Sequence, residues 1–108
     1  MLGVLIRFQF GTDFNADKLR AIAEGARPKF EGMRGLISKT FTIDAERRAA
    51  VNFYVWESER IARDFFTDAM LEQVTGLYGV KPSLEFLEIA QRVENASHPP
   101  FAGTAACG

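Results

Sequence analysis

The strongest constraint in this sequence of 108 residues is that its predicted strands carry large apolar side chains on both faces. From Leu2 to Phe10 the side chains alternate, and Leu5 adds an apolar group to the face opposite the alternating set. The run from Ala49 to Trp56 also has aromatic and β-branched residues at both parities. A strand that is apolar on both faces has to be covered on both faces.

The hydrophobic periodicity predicts four strands separated by turns and helices. They are predicted over Leu2 to Phe10, Leu36 to Asp44, Ala49 to Trp56 and Leu84 to Val93. In the second strand, Ile37, Phe41 and Ile43 share one face, and Lys39 interrupts that face. The short connection 45–48 favours a hairpin between the second and third strands.

Two helices are predicted between these strands. Asp13 or Asn15 caps the first helix, whose apolar residues recur at steps of three and four, and Pro28 should kink or end it. Ser58 caps the second, whose broad apolar arc extends to Val74 and must pack against a sheet. This order is a ferredoxin-like βαββαβ pattern of the α+β class, with a four-stranded antiparallel sheet and both helices on one face.

The opposite face of such a sheet is bare in a monomer. Here that face would expose large apolar side chains from several strands, and contiguous apolar patches of this kind usually mark an interface. We therefore expect a homodimer in which the second subunit covers this face.

Composition and charge exclude several classes of function. The 13 Lys and Arg residues against 14 Asp and Glu residues give a net charge of −1, too little basic field to attract nucleic acid. The apolar opening Met1 to Ile6 is too short for a signal core or a membrane span. The only cysteine, Cys107, permits no intrachain disulfide and leaves a structural zinc ion without thiolates, so a reducing cytoplasm fits best. Residues 96–108 have no periodic pattern and are predicted to form a tail.

Two stretches carry a resemblance to a known family. They are Gly35 to Phe41, GLISKTF, and Asn52 to Glu59, NFYVWESE, the second followed by a helix. They resemble the dimeric α+β barrel superfamily, and more narrowly the sequence is similar to the YdhR-type monooxygenases. The resemblance implies a single dimeric α+β barrel domain over 1–95, with one pocket per subunit between the sheet and its helices.

The resemblance also implies a candidate activity. Related antibiotic-biosynthesis monooxygenases oxidise polycyclic phenols or quinols with molecular oxygen and no metal or flavin, using an Asn and a Trp on one strand. Asn52 and Trp56 match that spacing, N-x-x-x-W, and are the candidate catalytic residues. Alternate residues of a strand point to the same face, so Asn52, Tyr54 and Trp56 can share an aromatic-walled pocket.

The chemistry of such a reaction gives each candidate a role. A phenolate gives an electron to oxygen by itself, so the protein needs only to desolvate the substrate, hold its anion and trap the oxygen intermediate. Asn52 can donate to the phenolate or peroxy oxygen, and Trp56 can supply a ring wall and an N–H donor. The candidate residues for binding an aromatic or apolar small molecule are Arg7, Lys39, Tyr54, Phe65, Phe66 and Tyr78.

Each of these residues also has a purely structural interpretation. Asn52 can be a polar side chain that backbone groups satisfy on a partly buried strand. Trp56 and the two phenylalanines of the second helix can be core aromatics. Arg7 and Lys39 can be cations that extend their charged ends into water.

The sequence departs from the family in its histidines. Quinol monooxygenases and haem-degrading relatives use a histidine in the second helix, where this chain has Phe65 and Phe66. The only histidine, His98, lies in the predicted tail, a poor place for a general base. Two alternatives therefore stay open: a non-catalytic dimer that binds a hydrophobic metabolite or serves as a scaffold, and a muconolactone-type isomerase whose base the sequence does not identify.

Overall fold

Four strands form one antiparallel sheet in the computed structural model, which describes residues 1–95. They are β1 (Leu2–Gln9), β2 (Leu36–Asp44), β3 (Ala49–Trp56) and β4 (Ser83–Glu88), in the spatial order β2-β3-β1-β4. The predicted hairpin joins β2 to β3. The predicted tail, with His98 and Cys107, lies outside the described residues.

Three helices pack on one face of this sheet: α1 (Ala16–Phe30), α2 (Glu59–Phe65) and α3 (Asp68–Tyr78). The expected caps are in place, because the Asn15 side chain accepts a hydrogen bond from the Lys18 amide and the Ser58 side chain accepts one from Ile61. The ferredoxin-like α+β fold predicted from the sequence is confirmed, with one predicted helix divided in two.

Thr67 divides the second predicted helix. Its hydroxyl accepts a hydrogen bond from the Met70 amide and so caps α3, while the Phe66 amide still donates to the Ala62 carbonyl at the end of α2. Because both new helix ends are satisfied, the break costs little. The apolar steps of the sequence continue across it, which is why the pattern predicted one helix.

The first helix ends close to Pro28, as the sequence predicted. It continues to Phe30 with Pro28 inside its last turn, and the Glu31 amide still bonds to the Arg27 carbonyl. A proline removes only one backbone donor, and the carbonyl that Pro28 leaves without a partner belongs to Glu24, an exposed residue, so water can bond to it. The two helical residues after Pro28 bring the Phe30 ring over the sheet.

Two details of the strands also differ from the prediction. A bulge between Leu36 and Ser38 makes Ile37 an extra residue that is 39% exposed, whereas Lys39 and Phe41 face the helices together. The last strand ends at Glu88 rather than at Val93, because Glu88 pairs with the first residue of β1 and nothing in β1 extends further.

The core lies between the sheet and the helices. Even-numbered side chains of β1 and β3 alternate toward this layer, where Trp56, Phe8, Ile6 and Val4 are the largest fully buried side chains. Leu19, Ala62 and Tyr78 are the buried helical residues that complete it.

The other side of the sheet has no helix. We call it the helix-free face; β1 and β3 give it Gly3, Leu5, Arg7, Val51, Phe53 and Val55, which pair across the two strands. The Phe53 ring lies over Gly3, where an added Cβ would come within 2.8 Å of the ring. β4 adds Leu87, which is 42% exposed. This face is therefore apolar at its centre.

Candidate functional site

A cavity of about 570 Å³ lies between the sheet and the helices α1 and α3. We call it the sheet–helix cavity; its floor is formed by Ile6, Phe8, Lys39, Phe41, Asn52 and Tyr54 of the sheet. A volume of this size, lined mainly by apolar and aromatic side chains with a few polar groups, is typical of a small-molecule site.

Small residues on α1 explain why this space is empty. Ala21, Gly25 and Ala26 line the cavity, and a Cβ added at Gly25 would meet no atom within 4 Å. The mouth opens between α1 and α3, where Ala21 and Gly25 are exposed and Leu77 of α3 is 51% exposed. A ligand can therefore enter from solvent without displacing a helix.

A buried polar pair lies at the floor of the cavity. Asn52 is 3% exposed, and its Nδ2 donates a hydrogen bond of 3.2 Å to the Tyr78 hydroxyl. The Tyr78 ring stacks on Phe8 with centroids 3.7 Å apart. A carboxamide has two N–H donors, and this bond uses one of them, so the other remains for a ligand oxygen. The partner of Asn52 is thus a side chain at the cavity, not the backbone groups of the structural interpretation.

The two tyrosines of the cavity keep their protons. Burial raises the pKa of Tyr78, although the hydrogen bond from Asn52 opposes the rise. Burial, and then the nearby Tyr78, raise the pKa of Tyr54 well above its ordinary range. Both hydroxyls are therefore hydrogen-bond donors and not bases at neutral pH.

The Lys39 amine lies among three aromatic rings. Its Nζ is 3.5 Å from the ring centroid of Phe30, 4.1 Å from that of Phe41 and 4.4 Å from that of Tyr54. Within residues 1–95, no carboxylate oxygen lies within 4.0 Å of this amine. Burial, and then the charge of Lys29, lower the pKa of Lys39 to about 7. The structure thus turns Lys39 toward the cavity rather than into water.

Trp56, Phe65 and Phe66 do not line the cavity. With Tyr54 they form what we call the aromatic cluster, in which the rings of Trp56 and Phe65 have centroids 5.1 Å apart. Trp56 is 1% exposed, and its Nε1 has no hydrogen-bond partner among the described residues. Asn52 and Trp56 share a face of β3, yet four residues of strand separate them by about 13 Å. The predicted roles of Asn52 and Trp56 in catalysis, and of the two phenylalanines in binding, stay predictions.

Arg7 lies on the helix-free face, opposite Val51 and Ser83. The sheet itself separates its side chain from the cavity, and Arg7 is not among the lining residues. Its predicted role in binding substrate stays a prediction that this cavity does not support.

Sequence reasoning missed the contribution of α1 to the site. Phe30 forms a wall at Lys39, and Lys18 and Lys29 lie along the mouth. The available signal was the pair of small residues Ala21 and Gly25, four positions apart on one helix face. Such a pair marks the place where a helix leaves space against a sheet.

The described part of the chain has neither a cluster of metal ligands nor a membrane-spanning helix. Within 1–95 no three His, Cys, Asp or Glu side chains are grouped to hold a metal ion. No helix in that same range has the length and apolarity to cross a membrane. The expected lack of a cofactor and the cytoplasmic location remain predictions.

Several solved structures have a similar fold. A monooxygenase from the ActVA-Orf6 gene of Streptomyces coelicolor, in complex with nanaomycin D, is 20% identical, with 88% of this chain and 92% of that chain covered and a TM-score of 0.66. SnoaB, a cofactor-independent oxygenase from Streptomyces nogalater, is 14% identical, with 87% and 97% covered and a TM-score of 0.62. A conserved protein from Methanosarcina mazei is 11% identical, with 79% and 88% covered and a TM-score of 0.59.

These similarities confirm the fold expected from the resemblance. The chain shares its fold with these structures and with that of a protein described as a putative antibiotic biosynthesis monooxygenase from Bordetella bronchiseptica. The narrower similarity to the YdhR type stays a prediction. No protein-family model matches the chain, and no curated protein matches it significantly in sequence.

Proposed function

We propose that this protein is a cofactor-independent monooxygenase that oxidises an aromatic or similarly apolar small molecule with O₂ in the sheet–helix cavity. The observation that carries the proposal is the buried Asn52–Tyr78 hydrogen bond at the floor of a cavity whose walls are mainly aromatic and aliphatic. Hydrogen-bond donors fixed in a dry, apolar site stabilise a developing oxyanion far better than water does.

The stoichiometry of such a reaction requires no external reductant. When an activated methylene group becomes a carbonyl, the substrate carbon loses two hydrogens and four electrons. One oxygen atom of O₂ becomes the carbonyl oxygen and the other leaves as water, which together take up four electrons. The substrate therefore supplies every electron, and the protein has to bind the substrate, favour its anion and exclude water.

The cavity offers a group for each of these tasks. The free N–H of Asn52 donates to the phenolate or peroxide oxygen, and the protonated hydroxyls of Tyr54 and Tyr78 are further donors. Phe8 and Phe41 provide ring walls on which an aromatic substrate packs.

Trp56 suits a positioning role in this proposal. It stacks on Tyr54 with ring centroids 5.9 Å apart and planes at 11°, and Tyr54 lines the cavity. Trp56 thus fixes the position of the Tyr54 ring, which is part of the cavity wall, without itself contacting a ligand in the cavity.

We also propose that the protein is a homodimer joined through the helix-free face. The apolar centre of that face and the exposed Leu87 suit a second copy of the same sheet. Light scattering should give twice the chain mass of 12.0 kDa. Phe53→Arg should shift the mass toward the monomer, whereas Glu72→Arg at an exposed position of α3, on the other side of the sheet, should leave it unchanged.

One observation favours the alternative of a non-catalytic binding protein. Among residues 1–95 no histidine or carboxylate lines the cavity, so the groups that most often act in acid–base catalysis are absent from this part of its walls. A binding protein would hold the same aromatic ligands without consuming oxygen, and an isomerase would convert its substrate without oxygen.

The test is oxygen consumption by chelator-treated, metal-free protein with a panel of anthrones, quinols and other phenols. Uptake above buffer, with one atom of ¹⁸O₂ incorporated into the product, is the expected result. Asn52→Leu should lower kcat/KM by about 10²–10³-fold, whereas Asn95→Leu, outside the cavity, should leave it unchanged. Binding of the panel without oxygen uptake would instead establish the binding protein, and neither binding nor uptake would contradict both.

A further inference from the structure

The Lys39 amine is half-buried on the cavity floor, where its neighbours are aromatic rings rather than carboxylates. We propose that Lys39 is the general base that removes the hydroxyl proton from a phenolic substrate, and that the ammonium so formed then holds the phenolate. The inference rests on the proposed function, because that reaction requires the substrate to react as its anion. It narrows the substrate class to compounds with an ionisable phenolic hydroxyl.

The register of the sheet places this amine near the polar pair. Lys39 pairs with Tyr54 and Phe41 pairs with Asn52, so Lys39 and Asn52 are diagonal neighbours on one face. Diagonal neighbours in an antiparallel pair lie roughly 7–8 Å apart, which one aromatic ring with its oxygen can span. A phenol can thus present its hydroxyl to Lys39 while a second oxygen reaches Asn52.

The charged groups around Lys39 keep part of the amine unprotonated near neutral pH. Lys29 of α1 adds a like charge, and burial and that charge together lower the pKa of Lys39 to about 7. The neighbouring Glu31 is paired with Arg27 at 3.2 Å and lines the groove on the outer side of Lys39. The other titratable side chains that line the cavity are Lys18 at its mouth on α1 and the tyrosines Tyr54 on β3 and Tyr78 on α3.

The three rings have a second effect that suits a base. Aromatic faces attract a cation, so Phe30, Phe41 and Tyr54 stabilise the ammonium once the proton has arrived. Burial makes the free amine available, and the rings together with the new phenolate stabilise its conjugate acid.

The other polar groups of the cavity do not suit this step. Burial raises the pKa of both tyrosines, so their hydroxyls stay protonated and do not act as bases at neutral pH, and the Asn52 carboxamide does not titrate. Lys18 and Lys29 are exposed at the mouth rather than on the floor. Lys39 is therefore the base that sequence reasoning did not find when it considered histidine.

The step itself is a proton transfer with no change of oxidation state. The phenolic O–H bond breaks, an N–H bond forms on Nζ, and the O–H electron pair stays on the phenolate oxygen. A neutral amine and a neutral phenol become an ammonium and a phenolate. The phenolate then supplies electrons to O₂, the oxidant of the proposed function.

The protonation of Lys39 can be followed without any activity. After ¹³C reductive methylation, one lysine resonance should titrate near pH 7, and that resonance should be absent from Lys39→Met. If no lysine resonance titrates near pH 7, the proposal is wrong. This measurement uses the folded wild-type protein, so it stands even if the variants are unstable.

The decisive experiment compares Lys39→Arg with wild type in oxygen uptake on two phenols. Arginine keeps the cation but cannot act as a base near neutral pH. With a weakly acidic phenol, wild-type kcat/KM should rise with pH and level off above about 7, and Lys39→Arg should lose about 10²–10⁴-fold. With a phenol already ionised at neutral pH, the same variant should lose less than about tenfold. Lys81→Arg, on an exposed loop, is the matched control and should behave as wild type.

The outcomes separate this inference from the proposed function. If Lys39→Arg keeps the wild-type rate and pH profile on both phenols, Lys39 only holds an anion; the base assignment is then wrong while the monooxygenase remains. If wild type consumes no oxygen with any phenol, the monooxygenase is wrong and the base assignment falls with it.

Discussion

The layer between sheet and helices has opposite environments over two side chains that share a face of β3; we call them the sealed end, at Trp56, and the hollow end, at Asn52. At the C-terminal end, Trp56 is sealed by the rings of Phe65 and Phe66 and is 1% exposed. At the middle of the strand, Asn52 lies under a cavity of about 570 Å³. Strand periodicity alone therefore tells which residues share a face, not which share a site.

The difference comes from the helices above. The short α2 ends in two large rings that fill the layer, whereas α1 presents Ala21, Gly25 and Ala26 over Asn52 and leaves space. The sealed end contributes stability and the hollow end contributes binding. Substitutions at the two ends should therefore affect different measurements.

The largest effect should come from the sealed end. Trp56→Ala removes a fully buried ring from the aromatic cluster and should lower the free energy of unfolding by about 3–5 kcal/mol. Phe41→Ala at the hollow end should cost less than about 2 kcal/mol, because Phe41 is half-buried beside open space. Urea unfolding of both variants tests this, and equal losses would contradict the contrast between the two ends.

The buried amine of the hollow end should make stability depend on pH. The pKa of Lys39 is lowered in the folded state, so between about pH 7 and 10.5 the unfolded chain binds more protons and stability rises with pH. Relative to Lys39→Met, wild type should gain roughly 2 kcal/mol over this window, after allowance for ring stabilisation of the ammonium. A pH-independent difference between the two proteins would show that Lys39 is not desolvated.

Filling the hollow end should weaken binding without harming the fold. Gly25→Leu places a side chain in the mouth, so affinity for an aromatic ligand should fall at least about tenfold, or about 1.4 kcal/mol. Stability should rise slightly, because leucine favours a helix over glycine. Gly76→Leu has equal space on α3 but does not line the cavity, and should leave the affinity measured by calorimetry unchanged.

Removing the Tyr78 hydroxyl should affect stability only a little. In Tyr78→Phe the Asn52 N–H loses its partner, but water can enter the open cavity and replace it, so the loss should be at most about 1 kcal/mol. A loss of several kcal/mol in thermal or urea unfolding would mean that the polar pair is sealed from solvent.

The smallest effect should come from the other side of the sheet. Arg7→Met should change ligand affinity by less than about twofold, because the sheet separates Arg7 from the cavity. A larger loss, measured by the same calorimetry on protein whose mass in light scattering equals that of wild type, would place the ligand on the helix-free face.

Much of the fold was predictable because its signals are local. A few neighbouring residues decide each of three features: the alternation in β1 and β3, the caps at Asn15 and Ser58, and the short β2–β3 turn. The end of β4 depends instead on where β1 begins, and the division at Thr67 competes with an unbroken apolar pattern. Such features follow from tertiary partners that a single sequence does not reveal.

The site was predictable in part for the same reason. Asn52, Tyr54 and Tyr78 were named from spacing and resemblance, and the structure brings all three to the cavity. The environment of Lys39 could not be predicted, because it requires α1 to continue past Pro28 and place Phe30 over the sheet. In the sequence, the only sign of this environment is that Lys39 interrupts an otherwise apolar face of the second predicted strand.

The most direct test of the central claim is a crystal structure of the protein with a phenolic substrate bound under anaerobic conditions. The aromatic ring should lie in the sheet–helix cavity, with a substrate oxygen about 3 Å from the Asn52 carboxamide nitrogen. A ligand bound against the helix-free face, with the cavity empty and Asn52 bonded only to Tyr78, would contradict it.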